Sequence, residues 1–389
     1  MRFKNDTENW RQNLLSEIST STGGGTPSTK IKEYWKGNIG WISSSDLQDD
    51  NVSQISVTRF ISNDAIINSS TKICPPNTIH IVSRVGVGKV AISKESLCTS
   101  QDFVNLIDYK LKPLFLTYQL QCKIKEMIKS TQGTSIKGLT TKEINLIKMS
   151  YPNKDVQEKI ANFLSLIDKR INTQNKIIED LDTLKNSIMD QLLMRDIFDE
   201  ISIKDFINQG YARIIKASEM KKFSGEKLYL STSSIDKNGI FKIECKITYN
   251  DRPSRASMIP IKNSVWFAKM KDSIKVYKSE NDDESKYILS TGFYGILCNE
   301  DVVNPDWMVE IFKSNYFNNQ KDRFSEGSSM SGIKENQLED IKVKLFKNKN
   351  LEKKYCLLFY ILNKKLNVET DYLEKLKEQK KYLLSNMFI

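Results

Sequence analysis

The sequence predicts an α+β protein: two α/β blocks form a pseudo-two-fold repeat and are separated by two long helices that pair as an antiparallel coiled coil. The segment from about Val156 to Leu193 recurs within the segment from about Leu351 to Ile389, at a constant shift of 195 residues that places Leu166 on Ile361. The blocks that precede these segments share an order of strand-like, glycine-bounded and helical stretches. A repeat of this length indicates two similar half-molecules.

Length and charge indicate the broad class of the protein. The 389 residues are enough for two or three domains, and 39% hydrophobic residues suit globular cores. No apolar stretch has the ~18 residues of a membrane-spanning helix, and the first residues lack a signal-peptide core, so we expect a cytoplasmic protein without a membrane partner. A net charge of +11 favours an anionic partner, nucleic acid first and a membrane surface second. A merely soluble basic protein is the alternative.

The cysteines and the single histidine argue against several kinds of site. Six cysteines occur without a CxxC pair, so we expect free thiols rather than a disulfide or zinc framework. His80 is the only histidine, which leaves little room for imidazole-based catalysis or for an HExxH metal site. We therefore predict no catalytic residues and no metal site.

Nucleotide-binding and catalytic motifs are also absent from the sequence. There is no GxGxxG before a helix, and the Gly88-Lys89 pair lacks the upstream glycine of a phosphate-binding P-loop. Cys74-Pro75-Pro76-Asn77 lacks the aromatic residue that ends an adenine-methylase catalytic loop. The sequence therefore predicts a binding protein that holds no cofactor of its own.

The first block contains two loops with candidate contacts. Three glycines precede Thr26-Pro27, and such a backbone can adopt positive φ and approach another surface closely. A structural turn and a DNA-facing loop remain open for Gly24 and Thr26. Ser43, Ser44 and Ser45 follow a strand-like stretch and supply hydroxyl groups.

A predicted hairpin over residues 79–92 carries Arg84 and Lys89 at a glycine-bounded tip. These side chains suit phosphate or groove contacts, and solvated tip charges are the alternative. A helix is predicted over 114–129, and a loop bounded by Gly133 and Gly138 presents further groups. These are Thr134, Ser135 and Lys137. A short strand is predicted over 144–149.

The second block repeats this order in weaker form. The stretch 229–233 resembles 41–45, and 265–270 takes the place of the Arg84 hairpin, with Lys269 and Lys271 as charges. The second glycine-bounded loop lies 194 residues after the first and contains Ser328, Ser329 and Ser331. A loop near residue 250 adds Arg252 and Arg255. The GGGTP turn has no counterpart here.

Both long helices have apolar residues at 3.5-residue spacing, which predicts a coiled-coil seam with charged outer faces. The seam positions are Ile167, Ile171, Gln174, Ile178, Leu181, Lys185, Leu366, Glu369, Leu373, Leu376, Lys380 and Leu383. An antiparallel register that opposes Lys185 to Glu369 and Gln174 to Lys380 would let the polar positions satisfy each other. Burial of each helix against its own block is the alternative.

Several motifs of the chain resemble those of a known family. The motifs GGGTPS and YWKGNIGWISSSDL, the hairpin RVGVGKVAI, QGTSIKGLT and YPNKDVQEKIANFLSLIDKRI resemble the DNA specificity subunit of type I restriction-modification systems. The resemblance implies target-recognition domains at 1–155 and 197–350, with spacer helices at 156–196 and 351–389.

The resemblance also implies a function and partners. A non-catalytic subunit would read one half of a bipartite double-stranded DNA site with each recognition domain. Its helices would set the half-site spacing and dock two methyltransferase subunits, to which the restriction and motor subunits attach. S-adenosylmethionine, ATP and Mg would be bound by those partners. A protein-assembly scaffold with a basic surface is the alternative from a different class.

Overall fold

The structure is a computed structural model that describes residues 10–130, 138–236, 239, 241, 245–280, 283–324, 333 and 335–388. The chain divides into two compact units. Unit 1 comprises Met1–Lys176 with Asp371–Ile389, and unit 2 comprises Ile177–Thr370. The long helices α5 (Lys154–Leu193) and α11 (Lys349–Met387) contribute to both units.

Unit 1 combines short strands with four helices of its own among its described residues. The strands are β1 (Arg11–Leu14), β2 (Thr20–Gly23), β3 (Ile39–Ile42), β4 (Arg59–Ile61), β5 (Ile73–Cys74), β6 (Ile79–Val82), β7 (Val90–Ile92), β8 (Leu97–Thr99), β9 (Phe103–Ile107) and β10 (Lys148–Tyr151). The helices are α1 (Leu15–Ile18), α2 (Asn63–Ile67), α3 (Pro113–Ser130) and α4 (Thr141–Asn145).

Two four-stranded sheets form the body of unit 1, in the orders β2-β9-β6-β7 and β4-β3-β8-β5. All pairs are antiparallel except β3 with β8. The predicted hairpin is confirmed, because β6 and β7 pair from Ile79 with Ile92 to Ile81 with Val90. The prediction of a strand over 144–149 was wrong at its start. Thr140 caps helix α4 there, accepting a hydrogen bond from Glu143 N at 3.2 Å.

Unit 2 is built from a second set of short elements. The strands are β11 (Phe198–Ser202), β12 (Ala212–Ile215), β13 (Lys227–Leu230), β14 (Cys245–Ile247), β15 (Ala256–Met258), β16 (Ser264–Ala268), β17 (Val276–Lys278), β18 (Tyr287–Ser290), β19 (Phe293–Cys298) and β20 (Lys342–Phe346). The helices are α6 (Ile203–Asn208), α7 (Asp283–Lys286), α8 (Pro305–Lys313), α9 (Asn315–Phe324) and α10 (Glu335–Leu338).

The sheets of unit 2 have the same topology as those of unit 1. Their orders are β12-β19-β16-β17 and β14-β13-β18-β15, and β13 with β18 is again a parallel pair. Each unit also has a separate antiparallel pair of strands, β1 with β10 in unit 1 and β11 with β20 in unit 2. One strand of each pair precedes the sheets in the chain, and the other follows them. The predicted α+β fold, with a repeated α/β block, is confirmed.

Each unit pairs one part of α5 with one part of α11 in antiparallel fashion. In unit 1, Asp168 meets Lys380 while the later Arg170 meets the earlier Tyr372. In unit 2, Lys185 Nζ donates to Asn363 Oδ1 at 2.6 Å. The same helix parts also pack on their own unit, since the unit 2 core includes Met189, Leu192, Leu193, Cys356 and Phe359. Helix pairing and burial against the block therefore occur together.

The predicted register of the helix pair was wrong. Lys185 meets Asn363 instead of Glu369, and Lys380 meets Asp168 instead of Gln174, so both partners lie six residues from the expected ones. Glu369 pairs along its own helix with Lys365 at 2.5 Å. A carboxylate stabilises a buried ammonium better than an amide does, and each unit places a carboxylate next to its buried lysine.

None of the described helices is long and apolar enough to cross a membrane. The described part of the chain also contains no group of three or more His, Cys, Asp or Glu side chains that could hold a metal ion.

Candidate nucleic-acid interface

A short polar turn after β3, residues 43–46, forms the first part of the candidate site, and we call it the serine turn of unit 1. Ser43 N donates to Asp46 Oδ2 at 2.7 Å, and the hydroxyls of Ser43 and Ser45 lie 2.9 Å apart. Arg59 Nη2 donates to Ser43 Oγ at 2.7 Å and forms an ion pair with Asp46. The turn therefore presents hydroxyls next to a guanidinium that stacks 4.6 Å from the centroid of the Trp41 ring.

The hairpin β6–β7 places its tip beside the serine turn. Arg84 is exposed, whereas the half-buried Lys89 donates from Nζ to Ser44 O at 3.1 Å and to Leu47 O at 2.9 Å. Gly86 has a φ of 76°, and a Cβ there would lie 3.6 Å from Ser44. Hairpin and serine turn thus form one surface, in which Lys89 is used to join them.

The glycine loop before Thr26 packs inside unit 1. A Cβ on Gly24 would overlap Thr99 and Ser100, and one on Gly25 would lie 2.5 Å from the backbone of Ser70. Neither glycine has positive φ, so the left-handed conformation that glycine permits is not used here. The glycines are needed for close backbone packing. Thr26 Oγ1 donates to Gln101, which places its hydroxyl next to the turn that carries Asp102.

The end of the first glycine-bounded loop reaches the same hairpin. Ser83 N donates to Asp102 O at 2.7 Å, and Ser83 O accepts from Leu139 N at 2.7 Å. Gly138 has a φ of 91°, and a Cβ there would lie 2.5 Å from Ser83 O. The predicted contacts Thr134, Ser135 and Lys137 lie outside the described residues, as do Ser328, Ser329 and Ser331 of the second loop.

Unit 2 contains an equivalent serine turn at residues 231–234. Ser231 N donates to Ser234 Oγ at 3.2 Å, and the hydroxyls of Ser231 and Ser233 lie 2.7 Å apart. Lys275 Nζ donates to Thr232 O at 2.5 Å, as Lys89 does to Ser44 O. The turn and the hairpin are therefore joined in the same way in both units.

The charged side chains of this second site differ from those of the first. Asp46 of unit 1 is replaced by Ser234, and the strand position of Arg59 is taken by Cys245, because Trp41 pairs with Arg59 and Tyr229 with Cys245. Unit 2 thus has two uncharged residues, Ser234 and Cys245, at the positions of the ion pair in unit 1. The two sites have one framework and different surfaces.

Three of the predicted contact residues of unit 2 lie on or near the hairpin and the serine turn, whereas Arg252 does not. Lys269 and the exposed Lys271 lie on the β16–β17 hairpin, and Arg255 O accepts from Thr291 N at 2.9 Å, next to Gly292 that adjoins Thr232. The guanidinium of Arg252 lies 4.0 Å from the centroid of the Tyr249 ring and donates to the Tyr249 carbonyl. That contact occupies Arg252 within its own loop.

Sequence reasoning missed three contributors to these sites. Arg59 lies next to the serine turn only because β4 pairs with β3, and no sequence spacing indicates that pairing. Val85 and Met270 are exposed hydrophobic residues at the two hairpin tips, 71% and 51% accessible. An isolated apolar residue in a loop carries no pattern that predicts exposure.

The twelve predicted seam positions are all buried or half-buried in the structure. The polar members are held by charge: Lys380 Nζ lies 2.6 Å from Asp168 Oδ1, and Lys185 Nζ lies 2.9 Å from Glu310 Oε2. Gln174 is 5% exposed and Glu369 is half-buried.

Comparison with known proteins finds similar sequences for about half of the chain. Residues 7–183 match the type I restriction modification DNA specificity domain. The chain is 37% identical over 195 residues to the type I restriction enzyme MjaIX specificity subunit of Methanocaldococcus jannaschii, covering 47% of this chain and 44% of that protein. It is 28% identical over 200 residues to the EcoR124I/EcoR124II specificity subunit of Escherichia coli, covering 49% and 45%. The chain thus matches less than half the length of these relatives.

Solved structures extend the likeness in fold to the whole chain. A type I restriction-modification system S subunit from M. genitalium superimposes with a TM-score of 0.57 at 15% identity, covering 100% of this chain and 98% of the other. A chain from a structural study of complex assembly in the type I R-M system superimposes with a TM-score of 0.56 at 11% identity, covering 98% of both chains. Residues 7–183 therefore match the type I restriction modification DNA specificity domain, and the whole chain has the fold of these solved S subunits.

Proposed function

We propose that this protein is the non-catalytic specificity subunit of a type I restriction-modification complex and acts on cytoplasmic DNA. Each unit reads one half of a bipartite double-stranded site through its hairpin and serine turn. The paired helices fix the distance between the half-sites and dock two methyltransferase subunits, to which the restriction subunits attach. S-adenosylmethionine, ATP and Mg are bound by those partners.

The observation that carries this proposal is the recurrence of one framework with two different surfaces. Lys89 and Lys275 both donate from the hairpin to the equivalent carbonyl of the serine turn, whereas the ion pair of Arg59 with Asp46 belongs to unit 1. Two readers of one DNA duplex need a common way to approach the groove and different side chains at the bases. The net charge of +11 supports an anionic partner.

Exchange of one block tests the assignment of half-sites. Replacing residues 1–150 with the corresponding block of another family member is expected to change one half of the methylated sequence and to leave the other half and the spacing intact. The measurement is methylation mapping on a randomised DNA library, using the assembled complex with S-adenosylmethionine. A change in both halves would contradict separate reading by each unit.

The same preparation distinguishes DNA recognition from an assembly scaffold. For binding through phosphate contacts, log Kd rises linearly with the logarithm of the salt concentration, and each contact adds about 0.9 to the slope. A complex that assembles with its protein partners but shows no salt-dependent binding to any DNA would support the scaffold.

Docking of the methyltransferase is supported by apolar side chains on the outer faces of the helices. The sequence predicted charged outer faces, but Leu166 of unit 1 is 58% exposed and Ile361 of unit 2 is 54% exposed. These two residues occupy the same position in the helix repeat. Phe163 and Tyr372 extend the patch in unit 1, where they line a groove with Leu166. Exposed apolar patches of this kind mark protein interfaces.

Single substitutions at this position test the docking surface by stoichiometry. Leu166→Asp and Ile361→Asp should each reduce the complex from two methyltransferase copies to one, and the double variant should bind none, because a charge is buried at each interface. Native mass spectrometry measures the copy number. Each variant is the control for the other, and retention of two copies in both would refute this surface.

A further inference from the structure

The two hairpin tips have the same length and the same attachments. Val82 N donates to Lys89 O at 2.9 Å and closes the first tip, and Ala268 N donates to Lys275 O at 3.0 Å and closes the second. The residue after each of these donors, Ser83 or Lys269, donates to the neighbouring β-turn and accepts from Leu139 or Ile333. These bonds make Arg84 equivalent to Met270 and Val85 equivalent to Lys271.

Each tip therefore carries one cationic and one apolar side chain, in opposite order. Unit 1 has Arg84 followed by Val85, and unit 2 has Met270 followed by Lys271. All four side chains are exposed, and Val85 is 71% accessible. An apolar side chain at an exposed tip does not stabilise the fold of its own unit, since it buries little surface there.

A lysine behind each tip joins it to the serine turn. Lys89 Nζ donates to two carbonyls of unit 1, those of Ser44 and Leu47, and Lys275 Nζ donates to the carbonyl of Thr232. Both lysines are half-buried. An ammonium with three donors that spends two on backbone carbonyls is a support of the tip and has little left for a phosphate.

We propose that each hairpin tip reads base edges in the major groove with its pair of one cationic and one apolar side chain. The inference rests on the proposed function and names the reading residues. Arg84 and Lys271 have the chemistry to donate to guanine O6 and N7, and Val85 and Met270 have the chemistry to contact a thymine methyl group. Lys89 and Lys275 are positioning residues that hold each tip against its serine turn.

The opposite order of the pair gives the two units different preferences on one framework. In unit 1 the cationic side chain comes first along the tip and the apolar one second, and in unit 2 this order is reversed. The base pairs that suit the two side chains would therefore also follow each other in the reverse order. Two half-sites read by the same hairpin geometry can thus differ in sequence.

The test compares tip variants in the assembled methyltransferase complex on a randomised DNA library. Arg84→Ala and Val85→Ala should each reduce discrimination at a position of one half-site by about 5- to 150-fold, the range of a single base contact. Met270→Ala should do so in the other half-site. Lys94→Ala, which removes an exposed lysine of unit 1 away from the tip, is the control and should leave both half-sites unchanged.

Salt titration separates base contacts from phosphate contacts. Val85→Ala and Lys89→Met should leave the salt slope of DNA binding unchanged, whereas loss of one phosphate contact lowers it by about 0.9. Lys89→Met should weaken discrimination in the unit 1 half-site, and Lys89→Arg, which can donate to both carbonyls, should restore it.

Two results would overturn the proposal. Unchanged base preferences in the Arg84, Val85 and Met270 variants would show that the tips do not read bases. A lower salt slope in Lys89→Met with intact preferences would make Lys89 a phosphate contact. Failure of the wild-type complex to bind DNA would instead refute the proposed function.

Discussion

Replacing Asp168 with alanine is expected to lower the free energy of unfolding of unit 1 by about 3–5 kcal/mol. Asp168 is 4% exposed, and its Oδ1 lies 2.6 Å from Nζ of Lys380, which is 3% exposed. Tyr118 Oη donates to Asp168 Oδ2 at 2.7 Å, and burial beside this carboxylate raises the pKa of the Tyr118 hydroxyl. Alanine would leave the Lys380 ammonium buried without the carboxylate that pairs with it directly.

The backbone around Lys380 cannot replace the lost charge. Lys380 Nζ also donates to the carbonyl of Asp50 and lies 5.7 Å from the centroid of the Tyr118 ring. These contacts satisfy donors, and the Asp50 carboxyl, which also interacts with the Lys380 charge, forms its direct ion pair with Lys125. Most of the desolvation cost of the ammonium therefore remains. The loss should therefore exceed that of an ordinary hydrogen bond.

Hydrogen exchange measured by mass spectrometry checks this prediction, because it separates peptides of unit 1 from those of unit 2. The matched control is Glu158→Ala, which removes the partly exposed ion pair with Lys112 and should cost at most about 1 kcal/mol. The double variant Asp168→Leu with Lys380→Met should recover most of the loss, since it removes both charges. Equal costs for Asp168→Ala and Glu158→Ala would show that the buried pair is not required.

Unit 2 also pairs a buried lysine of a long helix with a carboxylate, but different residues form the pair. Asn363 stands at the repeat position of Asp168, and Lys185 at that of Lys380. The carboxylate comes from Glu310 of α8, whose Oε2 lies 2.9 Å from Lys185 Nζ and whose Oε1 accepts from Asn363 Nδ2 at 2.7 Å. In both units a buried lysine of one helix requires one carboxylate, and the helix repeat does not dictate which element provides it.

This difference explains how far the sequence could predict the helix pair. The spacing of Ile167, Ile171 and Leu373 is a local property of each helix, and it predicted the seam and the start of each helix to within two residues. The register depended on Glu310 and Asp168, whose roles follow from packing between distant segments. Pairing polar seam positions with one another ignored these carboxylates and gave the wrong register.

In the candidate site, too, the sequence predicted local features but not contacts between distant segments. Glycines and β-branched runs predicted the β6–β7 hairpin, because turn chemistry is local. The role of Lys89 as a support was not predictable, since its acceptors Ser44 and Leu47 lie in and just after the serine turn, which follows β3 of the other sheet. Val85 and Met270 became candidates only when the hydrogen bonds of the two hairpins showed which residues are equivalent.

Acidification is expected to destabilise unit 1 through His80, which lies in the first strand of its hairpin. The side chain is fully buried, and burial lowers its pKa from 6.5 to about 4, although the hydrogen bond to Asn105 opposes this shift. His80 Nδ1 lies 2.7 Å from Asn105 Oδ1, and Nε2 lies 3.0 Å from Ser93 Oγ. Asn105 Nδ2 donates to Thr99 Oγ1, which directs Oδ1 at the imidazole and favours the neutral ring protonated on Nδ1.

The sign of the effect follows from which state binds the proton. Above pH 6.5 the ring is neutral in both folded and unfolded chains, and the full stability is present. Between pH 6.5 and about 4 the unfolded chain binds a proton that the folded one does not, so stability falls as the pH falls. The loss attributable to His80 is about 3 kcal/mol at the end of this range.

The single histidine makes this prediction directly measurable. Because His80 is the only histidine, its imidazole resonances can be followed by NMR in the intact protein without assignment by mutation. We expect no titration of the folded signal down to about pH 5, and a pH dependence of unfolding that is smaller in His80→Gln than in wild type. The difference should appear in hydrogen exchange of unit 1 and not of unit 2, since His80 contacts only unit 1 residues among those described. A folded-state pKa near 6.5 would mean that the hairpin strand tolerates the charged ring, and the hairpin tip would then stay in place in mild acid.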